Sequence, residues 1–392
     1  MSTDTPHHLA PWQVITGGIC GLVLTIGLAR FAYTPLLPLM QAQAGLSDAA
    51  GGGLAAINYL GYMSGALLAS WLDDARLRHR IYLAGLVLAL LSTVLMGLTT
   101  HPLLWALSRY VGGLCGAAGM LFGSGLVLNW LMRAGRRPEL GLHFIGLGLG
   151  IVVSAVGAMG LSAWRLDWAG HWLGLAATGL LFLLPAWGWR PPVPPTVKPG
   201  HGDGAAPSRR WMGLMIACYF CAGWGFVISA TFTVAIVERQ PLLAGRGPLA
   251  WLLVGLAAMP AVFLWDRIAR RIGELKALLL AFGLQTLSVV LPALSGSLLA
   301  ALAGALLYGA TFIGIVSLTL ALVGRRSPAN PGKAMARLTL SYGLAQITAP
   351  ALAGSMAQAS GSYQGALWLT AAVLLVGMGL LAALLKEPEQ AQ

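Results

Sequence analysis

The chain has 392 residues, 57% of them apolar and 9% charged, and its 24 basic and 12 acidic side chains give a formal net charge of +12. A soluble globular surface needs about a quarter of its residues charged, so a water-soluble fold is excluded and most of the outer surface must face lipid. The basic residues fall in short clusters between apolar runs, without a continuous stripe of interleaved aromatics, so the positive charge signals membrane topology and not a nucleic-acid partner.

A membrane-crossing helix needs about 20 apolar residues rising about 1.5 Å each. The apolar runs predict twelve of them, over residues 12–40, 48–72, 81–99, 103–132, 138–163, 169–188, 211–238, 247–266, 275–293, 297–323, 335–358 and 364–385. Met1 to Gln13 has neither a basic leader nor a small-residue cleavage site, so the first run is expected to be a retained span. Between the sixth and seventh runs, Arg190-Pro-Pro-Val-Pro-Pro-Thr-Val-Lys198 opens a polar stretch ending at Arg210 that reads as an extended linker. The expected organisation is a six-helix bundle over 1–189, a cytoplasmic linker over 190–210 and a second six-helix bundle over 211–392.

Orientation follows from Lys and Arg, which cytoplasmic loops retain. With both termini cytoplasmic, the inside loops hold 19 of the 24 basic residues, the outside loops hold Arg165, Arg239 and Arg246, and Arg30 and Arg109 remain within spans. The two halves also echo each other: Trp71-Leu-Asp-Asp74 and Trp265-Asp-Arg267, Arg136-Arg137 and Arg325-Arg326, and Leu142 to Ile151 and Leu338 to Ile347 recur at offsets of 193, 189 and 196 residues. Parallel repeats of this kind are a transporter plan.

Two six-helix halves, a long central linker and charged loops after the second and eighth spans resemble the major facilitator superfamily over almost the whole chain. Arg30-Phe-Ala-Tyr-Thr-Pro-Leu-Leu-Pro-Leu-Met40 and Asn58-Tyr-Leu-Gly-Tyr62 resemble the first and second helices of the bacterial YbfB/YjiJ group. The superfamily's charged-loop motif is kept in Asp73, Asp74, Arg76, Arg78 and Arg80, but Ala69 stands where a glycine would precede the aspartate and no glycine follows it. An acid facing bases across a helix end latches one conformation, and the resemblance implies that role for Asp73, Asp74 and Arg76 and for Asp266, Arg267 and Arg270. Arg109-Tyr-Val-Gly-Gly-Leu-Cys-Gly-Ala-Ala-Gly119 resembles the superfamily's fourth-helix arginine motif; Gly112, Gly116 and Gly119 share one helix face, as do Gly61 and Gly65, and are expected to admit close helix packing. The fifth helix lacks the proline of the superfamily's antiporter motif.

Arg30 lies about 15 Å from the outer end of the first helix by the helical rise, where an arginine costs about 2.5–3.5 kcal/mol unless it meets a partner, water or a cavity. Tyr33 shares its face, and Asn58, Tyr59 and Tyr62 lie at similar depth. In the superfamily, helices 1, 4, 7 and 10 line the cavity, which implies Arg109, Tyr219, Trp224, Tyr308 and Thr311 as further candidate substrate-binding residues; His143, Gln285 and Gln346 have weaker cases. Asp48, Asp73, Asp74, Glu139, Glu238, Asp266 and Glu274 all fall at or beyond span ends, so no carboxylate stands where a proton relay needs one.

Cys20, Cys115, Cys218 and Cys221 lie in apolar runs without the companions of a metal site, so neither a cofactor nor a metal is expected. The expectation is an all-α polytopic protein of the bacterial inner membrane, not an enzyme, that moves a small solute by alternating access, with an anionic or polar metabolite favoured. Its partners are the solute and the bilayer, with a proton as candidate coupling ion. A proton-linked drug or sugar exporter is the alternative; a non-transporting sensor or an intramembrane enzyme is remote, because no span supplies a nucleophile with its base, paired acids or a metal cluster.

Overall fold

The computed structural model describes residues 9–135, 141–193, 207–327 and 331–386, which are helical with no strand among them. Linker residues 194–206, with Lys198, and the loop residues Arg136, Arg137 and Glu139 lie outside the described residues, as does the chain before residue 9. The helices are α1 (Pro11–Ala44), α2 (Asp48–Trp71), α3 (Ala75–Leu98), α4 (Pro102–Arg133), α5 (Gly141–Ala163) and α6 (Trp168–Gly188). They continue with α7 (Arg209–Glu238), α8 (Gly247–Ala258 with Ala261–Ile272), α9 (Glu274–Leu294), α10 (Leu298–Arg326), α11 (Pro331–Ser360) and α12 (Gln364–Leu385). Among the described residues, nine are long and apolar enough to cross a membrane, or ten if the bent pair forming α8 is one span. The helices α2 and α11 have spanning length, at 24 and 30 residues, but are diluted by Asn58, Tyr59, Tyr62, Tyr342 and Gln346; they pack on each other and on α4 and α7, where hydropathy is not required.

Local chemistry sets the ends. Gly45 adopts φ 67, the left-handed conformation that closes α1, and the Ser47 hydroxyl accepts from the Ala50 N–H at 3.2 Å to start α2. The third helix begins at Ala75, not at residue 81, because the Asp74 carboxylate accepts the Arg76 N–H at 2.9 Å and draws the basic run into the helix. The eighth, read as continuous over 247–266, is bent by 50° after Ala258, where Pro260 lacks the N–H that would continue the ladder.

Close helix approach rests on glycine as the spacing predicts. Gly112, Gly116 and Gly119 face α1 at Ala29 and Thr25, while a Cβ on Gly113 would overlap the Asn58 carbonyl and stand 2.7 Å from the Tyr62 nitrogen of α2. Contacts between the first six helices and the last six run along α1–α7, α2–α11 and α5–α8.

At the Asp48 end these contacts are polar. Asp48 forms an ion pair with Arg239 of α7, accepts from Gln41 Nε2 at 2.7 Å and accepts from the Tyr363 hydroxyl at 3.2 Å. Burial pushes the Tyr363 hydroxyl up to about 12, so it remains a donor at neutral pH. The Arg239 guanidinium lies 4.6 Å from the Tyr363 ring centroid, Gln358 Oε1 accepts the Ala49 N–H at 3.1 Å, and the Thr34 hydroxyl donates to the Ala230 carbonyl. This end is closed.

Two outcomes follow from this packing. Gly113→Val lowers the melting temperature in detergent, by an overpacking cost of about 1–3 kcal/mol, while Gly125→Ala, whose Cβ would meet nothing within 4 Å, leaves it unchanged. Asp48→Asn raises the labelling rate of a Thr34→Cys reporter by an impermeant maleimide about fivefold, as expected for loss of an ion pair of about 1 kcal/mol; an unchanged rate shows that the closure does not depend on Asp48.

Candidate solute-binding site

The first helix is not wound regularly around its arginine. Val23–Phe31 forms a π-helical stretch, and Pro35 has no N–H to offer the carbonyls one turn before it. Arg109 of α4 fills that gap: its Nη1 donates to the Ala29 carbonyl at 3.2 Å and its Nη2 reaches the Arg30 carbonyl at 3.5 Å. Its guanidinium also lies 4.4 Å from the Tyr33 ring centroid, and the Tyr33 hydroxyl donates to the Gly51 carbonyl at 2.8 Å. Asn58 Nδ2 donates to the Arg109 carbonyl at 2.7 Å. Arg109, Tyr33 and Asn58 therefore clamp α1, α2 and α4 together, with most of their hydrogen-bonding capacity spent on backbone.

Arg30 differs from them. It is 6% exposed, its Nε is buried without a hydrogen-bond partner, and among the described residues no carboxylate lies within ion-pair distance of it. Its guanidinium instead lies 4.4 Å from the Tyr59 centroid and 4.6 Å from the Tyr62 centroid, with Phe31 at 5.7 Å and Phe226 of α7 at 5.9 Å. Desolvated cation–π contacts contribute up to about 2 kcal/mol each, so the two nearest faces offset most of the roughly 2.5–3.5 kcal/mol cost of an arginine in a span. A guanidinium stacked on rings keeps its N–H edge in plane and free to bind an anion.

The rings continue into the last six helices. Phe226 meets Tyr59 edge-on at 6.4 Å and Tyr308, Phe312 and Tyr342 at 6.4, 5.5 and 5.8 Å, while Tyr219 and Tyr342 lie 4.6 Å apart. The Tyr308 hydroxyl donates to the Phe226 carbonyl at 3.1 Å. Among the described residues the hydroxyls of Tyr59, Tyr62, Tyr219 and Tyr342 make no hydrogen bond. Tyr62 and Tyr342 are half-buried, whereas Tyr59, Phe226 and Tyr308 are buried, so the cluster is more open on the side away from Asp48. One buried cation, four uncommitted hydroxyls and no acid make a donor-rich site between the two sets of helices.

The structure thus brings together Arg30, Tyr62, Tyr219 and Tyr308 from the sequence candidates. Trp224 lies two residues from Phe226 and so on another face of α7, where its ring meets Phe220 at 6.1 Å. The Thr311 hydroxyl donates to the Leu307 and Tyr308 carbonyls of its own helix at 2.8 and 3.1 Å. His143 is buried against Ser124 Oγ at 2.8 Å, away from the cluster; Gln285 is buried with neither side-chain polar atom hydrogen-bonded, and Gln346 is buried in α11. Phe226, Phe312 and Tyr342 escaped the sequence reading; Phe226 stands seven residues after Tyr219 and Phe312 four after Tyr308, spacings that place each on its partner's helix face.

The charged-loop residues pair locally. Asp73 is 3.6 Å from Arg78, Asp74 caps the helix that carries Arg76, and Asp266 pairs with Arg270 one turn on, in the same helix as Arg267. In this conformation none of those pairs bridges two helices of the bundle. An ion pair between separate helices that the sequence reading missed is Glu274 with Arg325, joining the start of α9 to the end of α10.

Among the described residues no group of His, Cys, Asp or Glu could hold a metal. A search of curated proteins returns no match. The fold is shared with solved transporters at low identity. A point variant of the nucleoside transporter NupG matches with a TM-score of 0.76 at 15% identity, covering 96% of this chain and 100% of that one. An inward-facing, unoccupied bacterial homologue of the human lysosomal transporter Spinster matches with a TM-score of 0.68 at 15% identity, covering 97% and 99%. The human organic anion transporter MFSD10 (TETRAN) matches with a TM-score of 0.65 at 17% identity, covering 96% and 100%. Residues 22–382 match the family model described as "Uncharacterised MFS-type transporter YbfB". A family match over nearly the whole chain, on an all-helical fold with multiple apolar spans, means that the protein belongs to the YbfB-type family of major facilitator superfamily transporters.

Proposed function

We propose that this protein carries a small organic anion across the bacterial inner membrane by alternating access, with Arg30 binding the anionic group. Twelve spans with both termini cytoplasmic, arranged as halves over 1–189 and 211–392 joined by the 190–210 linker, would rock about the cluster around Arg30. The observation that carries the reading is a buried guanidinium without a carboxylate partner, stacked on Tyr59 and Tyr62 at the seam between the first six helices and the last six. A second unneutralised arginine, Arg109, stands one backbone carbonyl away and raises the local positive potential. A solute anion supplies the missing charge and accepts from the free guanidinium edge and the uncommitted tyrosine hydroxyls, interactions stronger than their neutral counterparts.

In this conformation the Asp48 end is sealed by Asp48, Arg239 and Tyr363, and the cluster's more exposed face points the other way. Exchange of access would break those contacts and re-form others at the opposite end, where Asp73, Asp74, Arg76, Asp266, Arg267 and Arg270 are the charged groups available to latch it.

Thermal stabilisation of the purified protein provides the test, since a ligand of the folded state at 100 times its Kd stabilises by about 2.7 kcal/mol. Organic carboxylates are expected to raise the melting temperature and lipophilic cations are not, and Arg30→Gln abolishes the carboxylate effect while leaving the unliganded protein folded. Stabilisation by carboxylates that persists in Arg30→Gln overturns the assignment. Arg109→Lys keeps the charge but loses the forked donors, so it is expected to lower the melting temperature and to change carboxylate affinity by less than about threefold.

A further inference from the structure

Resting on the anion reading, we propose that the solute is an aromatic carboxylate, whose ring inserts between the tyrosines around Arg30 and the Phe226 cluster. The basis is what the seam is made of. Tyr59 and Tyr62 come from α2, while Phe226, Tyr308, Phe312 and Tyr342 come from α7, α10 and α11. In the closed arrangement their faces and edges are satisfied by each other across the seam, with Tyr59 edge-on to Phe226 at an interplanar angle of 86° and 6.4 Å between centroids.

Parting the two sets of helices around a solute breaks the Tyr59–Phe226 contact. A planar ring replaces it with a ring contact on each side, so the exchange conserves aromatic interactions; an aliphatic chain of equal area covers the surface but forfeits the quadrupole term. An inorganic or highly hydrated anion would leave these ring faces against water. The geometry also fixes the orientation. Arg30 is held face-on to Tyr59 and Tyr62, so its N–H edge meets a carboxylate roughly in the plane between those rings and the cluster. The ring attached to that carboxylate then points at Phe226, 5.9 Å from the guanidinium carbon. The donor hydroxyls of Tyr219 and Tyr342, 4.6 Å apart by ring centroid, lie beyond Phe226 and would take a hydroxyl or second oxygen on the far side of the ligand ring.

The test compares benzoate with cyclohexanecarboxylate, which share the carboxylate and carbon number but differ in aromaticity and planarity. Affinities are read by thermal shift and by calorimetric titration of the full-length protein in nanodiscs. Benzoate is expected to bind at least about tenfold more tightly in the wild type. Phe226→Leu and Tyr62→Leu are expected to reduce that ratio to below about threefold while retaining cyclohexanecarboxylate binding; the unliganded melting temperature reports folding, and Tyr62 is half-buried and the milder of the two changes. Equal binding of the two acids in the wild type, lost in Arg30→Gln, overturns the aromatic assignment and leaves the anion site standing. A benzoate preference unchanged in the folded Tyr62→Leu and Phe226→Leu proteins places the ring elsewhere and also overturns it. Binding of neither acid, with stabilisation by cations or sugars, overturns the anion reading itself.

Discussion

A guanidinium buried among membrane-crossing helices has no bulk water to solvate it, and in this chain Arg30 has no carboxylate either. Its charge is held by ring faces, Tyr59 and Tyr62 on the near side and Phe226 across the seam. Much of the surrounding structure serves that arrangement. The π-helical turn of α1 sets the register of Arg30, Arg109 occupies the carbonyls that turn leaves irregular, and Asn58 ties α2 to the carbonyl of Arg109 itself. The glycines of α4 bring α1, α2 and α4 close enough for the two arginines to lie side by side. Two positive charges are thereby held near each other without an acid, which costs stability that function must justify.

The seam between the first six helices and the last six is built asymmetrically. Toward Asp48 it is closed by an ion pair, a tyrosine hydroxyl and side-chain amides converging on one carboxylate. In the middle it is closed by aromatic contacts alone, and beyond them Tyr62 and Tyr342 are partly exposed. Polar closure at a water-facing end is switchable, because water replaces the lost hydrogen bonds when it opens. Aromatic closure at the centre is switchable only by something that restores ring contacts, which links the solute's chemistry to the conformational change.

Much of the fold was legible because lipid imposes a simple rule: apolar runs of about 20 residues become helices. What the rule missed was local. Pro260 bends α8 where hydropathy is continuous, and Asp74 starts α3 ahead of its apolar core by capping a basic run. The site was partly legible for a related reason. Arg30 stood out because charge inside a span is costly, but the same cost marked Arg109, whose partners are backbone carbonyls that sequence does not display. Phe226, Phe312 and Tyr342 carried no such signal, since an aromatic in an apolar helix looks like packing until the facing helix is known. Thr311 shows the converse: its polarity suggested a ligand contact, yet its own helix satisfies it.

The central claim is that Arg30 and the rings around it receive the solute's charge and its aromatic body. The most direct measurement is a crystal structure with 4-bromobenzoate, in which anomalous scattering locates the bromine independently of the protein. The account predicts the carboxylate on the Arg30 guanidinium and the bromine among Phe226, Tyr342 and Tyr219, with the Tyr59–Phe226 contact parted. A bromine site remote from that cluster, with Arg30 still stacked and unliganded, would contradict it.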